Sequence, residues 1–173
     1  MFLKMLGIGM VFSASVIAGY SMSREYLQRL RTLEQFYKML LLLKGEIKYN
    51  NSGISEAVGK VSERLDNRIG DFLKCVCRGF EKGEYTLKEI WDKAGSEILE
   101  RGAGLKKEDI FLIKELGINL GITDRETQIN NILNYMEEID MKIKELNEEK
   151  GEKCRLYRTL GVMAGAFMAI VLV

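Results

Sequence analysis

MLGIGMVFSASVIAGYSM, residues 5–22, holds no charged side chain, and a second uncharged run, TLGVMAGAFMAIVLV, occupies residues 159–173. Basic residues gather on the inner flank of both: Arg24, Arg29 and Arg31 after the first, Lys150, Lys153, Arg155 and Arg158 before the second. Only Lys4 lies outside them. Lys and Arg stay on the cytoplasmic side of a spanning helix, so this bias predicts two spans with the intervening residues in the cytosol. The expected organisation is an N-terminal transmembrane segment over residues 1–22, a cytoplasmic helical bundle over 23–156 and a C-terminal transmembrane segment over 157–173. Taken from Leu156, the second span is a helix of about 27 Å, just under the usual hydrocarbon thickness. Arg155 and Arg158 can snorkel to close that gap and attract anionic headgroups. An alternative makes the first segment a cleaved signal peptide, with Val16-x-Ala18 as the cleavage site, but the arginines that follow oppose translocation.

Working inward, apolar residues recur at helical spacing almost everywhere. Tyr26, Leu27, Leu30, Leu33, Tyr37, Leu40, Leu41 and Ile47 continue from the first apolar run without a breaker. They predict one helix over residues 3–48, ended by Asn50-Asn-Ser-Gly53. A second helix, capped by Ser52, carries Ile54, Ala57, Val58, Val61 and Leu65. A third carries Ile69, Phe72, Leu73, Val76 and Phe80 and closes at Gly83. Thr86-Leu-Lys-Glu89 is a capping box that opens a fourth helix burying Leu87, Ile90, Trp91, Ala94 and Ile98, broken by Gly102-Ala-Gly104. Leu105, Ile110, Ile113, Leu116 and Leu120 mark a fifth, stopped by Gly121. Thr123-Asp-Arg-Glu126 reads as another capping box, opening a helix that continues through Ile129, Leu133, Ile139 and Leu146 into the second apolar run. Gly151 is its one weak point. The expected fold is all-α: a six-helix antiparallel bundle whose first and last helices extend into membrane spans.

Composition narrows the function. There is no proline, which suits long uninterrupted helices, and no histidine, the commonest general base and metal ligand. Lys and Arg number 26 against 25 Asp and Glu, without the basic excess of a nucleic-acid binder. Cys75, Cys77 and Cys154 have neither the number nor the spacing for a disulfide framework or a zinc site. No phosphate-binding glycine loop is present. Catalysis, a cofactor and a metal are therefore not expected. The mixed charges from Lys142 to Lys153 read as a solvated helix face with pairs such as Glu138–Lys142 and Glu149–Lys153. Carboxylate pairs occur on helices whose periodicity assigns them to solvent.

Several stretches resemble a known family. The apolar start, Gly53-Ile-Ser-Glu-Ala-Val58, Leu105-Lys-Lys-Glu-Asp109, Leu116-Gly117-x-x-Leu120-Gly121-x-Thr-Asp124-x-x-x-Gln128 and Tyr157-Arg-x-Leu-Gly161 together look like the stage III sporulation protein AB family of endospore-forming bacteria. That family is similar to the cytoplasmic domain of the inner-membrane platform protein of type II secretion and type IV pilus machines, through Ser52-Gly-Ile-Ser-Glu-Ala-Val58, Gly83-Glu-Tyr-Thr-Leu87 and Glu115-Leu-Gly117. A full platform protein carries two such domains and additional spans, where this chain has one domain with a span at each end. The resemblance implies a scaffold of the channel joining mother cell and forespore. It also implies association with a cytosolic secretion-type ATPase and with other stage III channel proteins, in the mother-cell membrane.

Two groups of residues are candidates for contact. Gly121 and Asp124 are read first as helix stop and cap chemistry, and Glu115, Asp124 and Gln128 second as a partner surface. Glu56, in a helix start, divides the same way. In the spans, Gly161-x-x-x-Gly165-x-x-x-Ala169 and Ser15-x-x-x-Gly19, with Ala14-x-x-x-Ala18, are small-residue stripes that admit a close helix. They fit packing within one chain as well as packing between copies in a homo-oligomer or with another channel protein. The functional expectation is a non-enzymatic membrane scaffold that couples an ATPase to a channel. The alternative is a passive helical anchor or adaptor that tethers a soluble partner.

Overall fold

A computed structural model describes residues 2–50, 52–83, 86–100, 102–120 and 124–172. Among these, every regular element is helical and the order is that of the sequence pattern. Helix α1 spans Phe2–Tyr49, α2 Ile54–Glu63, α3 Arg68–Lys82, α4 Leu87–Ala94, α5 Lys107–Leu120 and α6 Arg125–Leu172. Contacts divide the chain into two compact units, one of residues 1–28 with 145–173 and one of residues 29–144.

The larger unit is the bundle. Its core is built by Leu33, Phe36, Met39, Leu40 and Leu43 of α1 with Val58, Val61, Phe72, Val76, Trp91, Ile113, Leu116 and Ile139, all fully buried. The buried stripe of α1 keeps Leu30, Leu33, Leu40 and Ile47 of the one expected but is broader. Phe36, Met39 and Leu43 are inside, while Leu41 is 47% exposed. A helix surrounded by several neighbours buries a broad face, and that face drifts as neighbours change along its length. Trp91 sits at the centre, edge-on to Phe72 with ring centroids 4.9 Å apart, and its indole N–H donates to the Ile113 carbonyl at 2.7 Å. A buried Trp needs such a partner. Gly117 lies against this ring: a Cβ there would come within 2.2 Å of Trp91 Cγ, so only glycine admits the indole.

Local chemistry sets the helix ends. The Asn67 side chain accepts from the Ile69 and Gly70 N–H groups at 3.0 and 3.1 Å to start α3. That helix closes on Gly83 at φ 64° in the left-handed region. Thr86 and Glu89 form the full capping box of α4. The cap of α2 is Gly53 rather than Ser52, with no side-chain hydrogen bond; the buried Ser52 hydroxyl instead accepts from Lys60 Nζ at 3.1 Å. The proposed stop at Gly121 and the Thr123 half of the last capping box lie outside the described residues. Among those described, Asp124 caps α6.

Helix α4 runs on into a π turn, Gly95–Leu99, where the Glu100 N–H reaches the Gly95 carbonyl at 3.2 Å. The wider turn advances the buried face by one residue, so Leu99 is inside and Ile98, expected in the core, is only half-buried. Lys114 of α5 braces this turn. Its stem fills the space a Cβ on Gly95 would need, and its ammonium meets Ser96 at 2.7 Å, Glu100 at 2.8 Å and Asp92 at 3.2 Å. Burial works against the charge on Lys114, but the two carboxylates outweigh it and hold its pKa above the ordinary lysine value.

Candidate functional site

In the smaller unit the two long helices run antiparallel. Ser15 Oγ donates to the Gly161 carbonyl at 2.8 Å. A Cβ on Gly19 would sit 2.7 Å from the Tyr157 carbonyl, and one on Gly161 would sit 2.9 Å from both Gly19 Cα and the Ser15 carbonyl. These neighbours are backbone, which has nowhere to go, so the approach depends on glycine from both sides. One turn further on, the Cβ position of Gly165 lies 3.3 Å from Ser15 Cβ and 3.0 Å from the Phe12 ring. Ala169 is half-buried, while Ala14 and Ala18 are exposed. Ser15, Gly19, Gly161 and Gly165 thus meet within a single chain. At the other end of the unit, the Tyr26 hydroxyl donates to the Leu146 carbonyl at 2.9 Å.

The helices of this pair leave their apolar windows uncovered. Both α1 and α6 contain a stretch long and apolar enough to cross a membrane, and only 11% and 17% of those windows is buried. Leu6, Met10, Ile17, Met163, Phe167, Ile170 and Val171 are each more than half exposed.

The other candidates lie in the bundle. Asp124 uses both carboxylate oxygens on Thr127, accepting from its N–H at 3.0 Å and its hydroxyl at 2.8 Å. Those two bonds hold its pKa below the ordinary aspartate value. Gln128 Nε2 donates to the Leu120 carbonyl at 2.7 Å, satisfying a group left over at the end of α5. Glu115 is half-buried on α5 and its charge reaches Tyr135. Burial raises the Tyr135 pKa first; the hydrogen bond from Asn119, at 2.9 Å, works the other way. Asp124 and Gln128 thus lie at the start of α6, Gln128 against the end of α5, while Glu115 faces Tyr135 further along α6. Glu56 belongs elsewhere: it is exposed on α2 and pairs with Lys60 at 2.6 Å, which lowers its pKa.

Two carboxylates that the sequence pattern does not single out are buried. Asp109 is 0% exposed; it accepts from Arg29 Nε at 2.7 Å, Arg29 Nη2 at 2.9 Å and the Lys106 N–H at 3.0 Å. Glu46 is 2% exposed and is met by Arg64 at 3.1 Å, Lys60 at 3.8 Å and the Asn50 amide at 2.7 Å. A buried carboxylate survives only with such partners, and the charged partners come from other helices. Arg125, beside the cap of α6, donates to the Ile47 and Lys48 carbonyls at 2.7 and 2.6 Å. It thereby covers the last carbonyls of the long helix α1. Among the described residues, no group of three or more His, Cys, Asp and Glu could hold a metal ion.

The family model described as stage III sporulation protein AB matches residues 4–173. A stage III sporulation protein AB of Bacillus subtilis (strain 168) is 23% identical over 170 residues, covering 98% of this chain and 99% of that protein. A solved structure of a stage III sporulation protein AB superposes with a TM-score of 0.65 at 21% identity, covering 72% of this chain and 98% of that one. At that identity the structural likeness speaks for the helical fold. The sequence match runs through both long helices and the bundle between them, and the chain belongs to the stage III sporulation protein AB family of sporulation proteins.

Proposed function

We propose that this protein is a non-enzymatic membrane scaffold, a platform component of the secretion-like channel between mother cell and forespore, and that it couples a cytosolic ATPase to that channel. The observation that carries this reading is the continuity of α1 and α6. Each unites, in one unbroken helix, an apolar window left almost bare and a segment that builds the bundle core. A core helix of a soluble protein would bury its apolar window. Here residues 1–22 and 157–173 span the mother-cell membrane around the forespore, and residues 23–156 form the cytoplasmic bundle. Glu56, Glu115, Asp124 and Gln128 offer partner contacts. Other stage III channel proteins are partners through the membrane region. No cofactor or metal takes part.

The mechanism is rigid transmission. A push or rotation applied to the bundle travels along hydrogen-bonded helix into the bilayer, where a flexible linker would dissipate it. The test replaces Tyr26 and Leu27 with glycine in a spore-forming host that lacks its own family member. The variant should insert and accumulate normally yet fail to support sporulation. Normal sporulation by the kinked protein would discard the lever.

The passive-anchor alternative is separated by grafting the bundle onto an unrelated span, which preserves function only if nothing is transmitted. Capture from sporulating cells in mild detergent adds an independent arm. Recovery of an ATPase with a Walker A loop supports coupling, and recovery of channel subunits without it supports the anchor.

A further inference from the structure

We propose that the junction between the apolar and polar parts of the two-helix unit is a binding surface for anionic phospholipid headgroups, formed jointly by α1 and α6. The inference rests on the reading that the apolar windows cross a bilayer. Cys154 Sγ lies 4.0 Å from the Ser23 carbonyl, which fixes the level at which the antiparallel helices face each other. Arg24, Lys153 and Arg155 stand within one residue of that level. Arg158 starts one turn deeper, but its Nε donates to the Cys154 carbonyl at 3.0 Å, so the guanidinium bends back to the same layer.

The signs of charge are sorted by depth. On the apolar side of the Ser23–Cys154 level, residues 5–22 and 156–173 carry no charge except Arg158. The carboxylates of Glu25, Glu148, Glu149 and Glu152 all lie on the other side. Arg24 and Arg155 are exposed and have no ion-pair partner among the described residues. Among the described residues Lys153 has only Glu149, at 3.9 Å. By the helix register Tyr20 and Tyr157 both lie three residues to the apolar side of that level, Tyr20 being 53% exposed, and Tyr is a residue of the headgroup boundary. Unpaired guanidinium groups beside apolar surface, with acids set back from it, complement a phosphate layer lying on hydrocarbon. A free acidic protein surface would not require the apolar half. Guanidinium also binds phosphate with two parallel hydrogen bonds.

The test reconstitutes the full chain in phosphatidylcholine bilayers doped with spin-labelled lipids. A motionally restricted fraction of labelled phosphatidylcholine reports that the apolar helices contact acyl chains. Labelled phosphatidylglycerol should be enriched at the protein about fivefold or more over phosphatidylcholine, given the attraction of each near-surface cation for an anionic leaflet. The preference should fall toward one in the triple variant Arg24→Gln, Arg155→Gln, Arg158→Gln, and return in the corresponding triple Lys variant. Equal enrichment of both lipids by the wild-type chain would overturn the headgroup site while leaving the spans in place. So would a preference that persists in the triple Gln variant. The absence of any restricted fraction would remove the membrane reading itself, and this inference with it.

Discussion

Arg29 and Asp109, 80 residues apart in the chain, form a two-pronged ion pair at 2.7 and 2.9 Å in which the carboxylate is wholly inaccessible to solvent. The same carboxylate accepts the Lys106 N–H, so one side chain both anchors α1 and starts α5. Removing one partner strands a buried charge, which costs about 3–5 kcal/mol, a large share of a stability of about 5–15 kcal/mol. Arg29→Ala should lower the urea midpoint of the full chain in detergent, followed by Trp91 fluorescence. Replacing both residues with apolar ones of similar volume (Arg29→Met with Asp109→Leu) should cost much less. Equal losses would mean that the pair supplies net stability beyond satisfying its own burial.

The same substitution should act with opposite sign at two glycines. Gly117→Ala forces a methyl into Trp91, where Cβ would lie 2.2 Å from Cγ, and overpacking of this kind costs about 1–3 kcal/mol. Nothing lies within 4 Å of a Cβ on Gly151, in the middle of α6, so Gly151→Ala should stabilise that helix by about 1 kcal/mol. Thermal melts of the two variants decide the matter. A stabilised Gly117→Ala would mean the indole has room to move.

The paired spans should be capturable by a disulfide within one chain. The Cβ positions at residues 15 and 165 are 3.3 Å apart, close to the separation a disulfide needs. With Cys75, Cys77 and Cys154 replaced by Ala, a chain carrying Ser15→Cys and Gly165→Cys should oxidise to a faster-migrating monomer on a non-reducing gel. A dimer band in its place would show these faces pairing between copies. Gly19→Ile, placed against the Tyr157 carbonyl, should abolish the monomer crosslink.

Two helix starts should weaken in acid. The Thr86 N–H and hydroxyl hold Glu89 below the usual carboxylate range, and Thr127 does the same for Asp124. A carboxyl whose pKa is depressed by folding contributes stability that is complete above its unfolded value. That contribution fades as pH falls through the lower folded value. Helicity measured between roughly pH 5 and pH 3 should therefore drop, and Glu89→Gln with Asp124→Asn should flatten the response. An unchanged acid limb in the double variant would assign it to other carboxylates.

How much was legible in advance follows from the range of the interactions. The α4 capping box and the left-handed stop at Gly83 are decided within a few residues, so reading neighbours suffices. Ser52 misled because a hydroxyl at the right offset can cap or can serve another partner, and Lys60, eight residues on, took it. The π turn escaped because periodicity carries no sign of an inserted residue until Lys114, from another helix, is seen bracing it. Of the candidate contacts, the span glycines signal close approach by their size alone. What the bundle residues Glu56, Glu115, Asp124 and Gln128 touch inside the chain could be learned only from the fold.

The sequence by itself determined the helical class, the order of the six helices and the apolar character of both ends, because backbone breakers, caps and hydrophobic period act locally. Only the tertiary structure decided that Asp109 and Glu46 are buried, that Ser15, Gly19, Gly161 and Gly165 meet in one chain, and that Arg24 shares a layer with Arg155 and Arg158. Each of these depends on which distant segment packs alongside. A charged residue at a given helical position looks the same in sequence whether it faces water or an arginine from another helix.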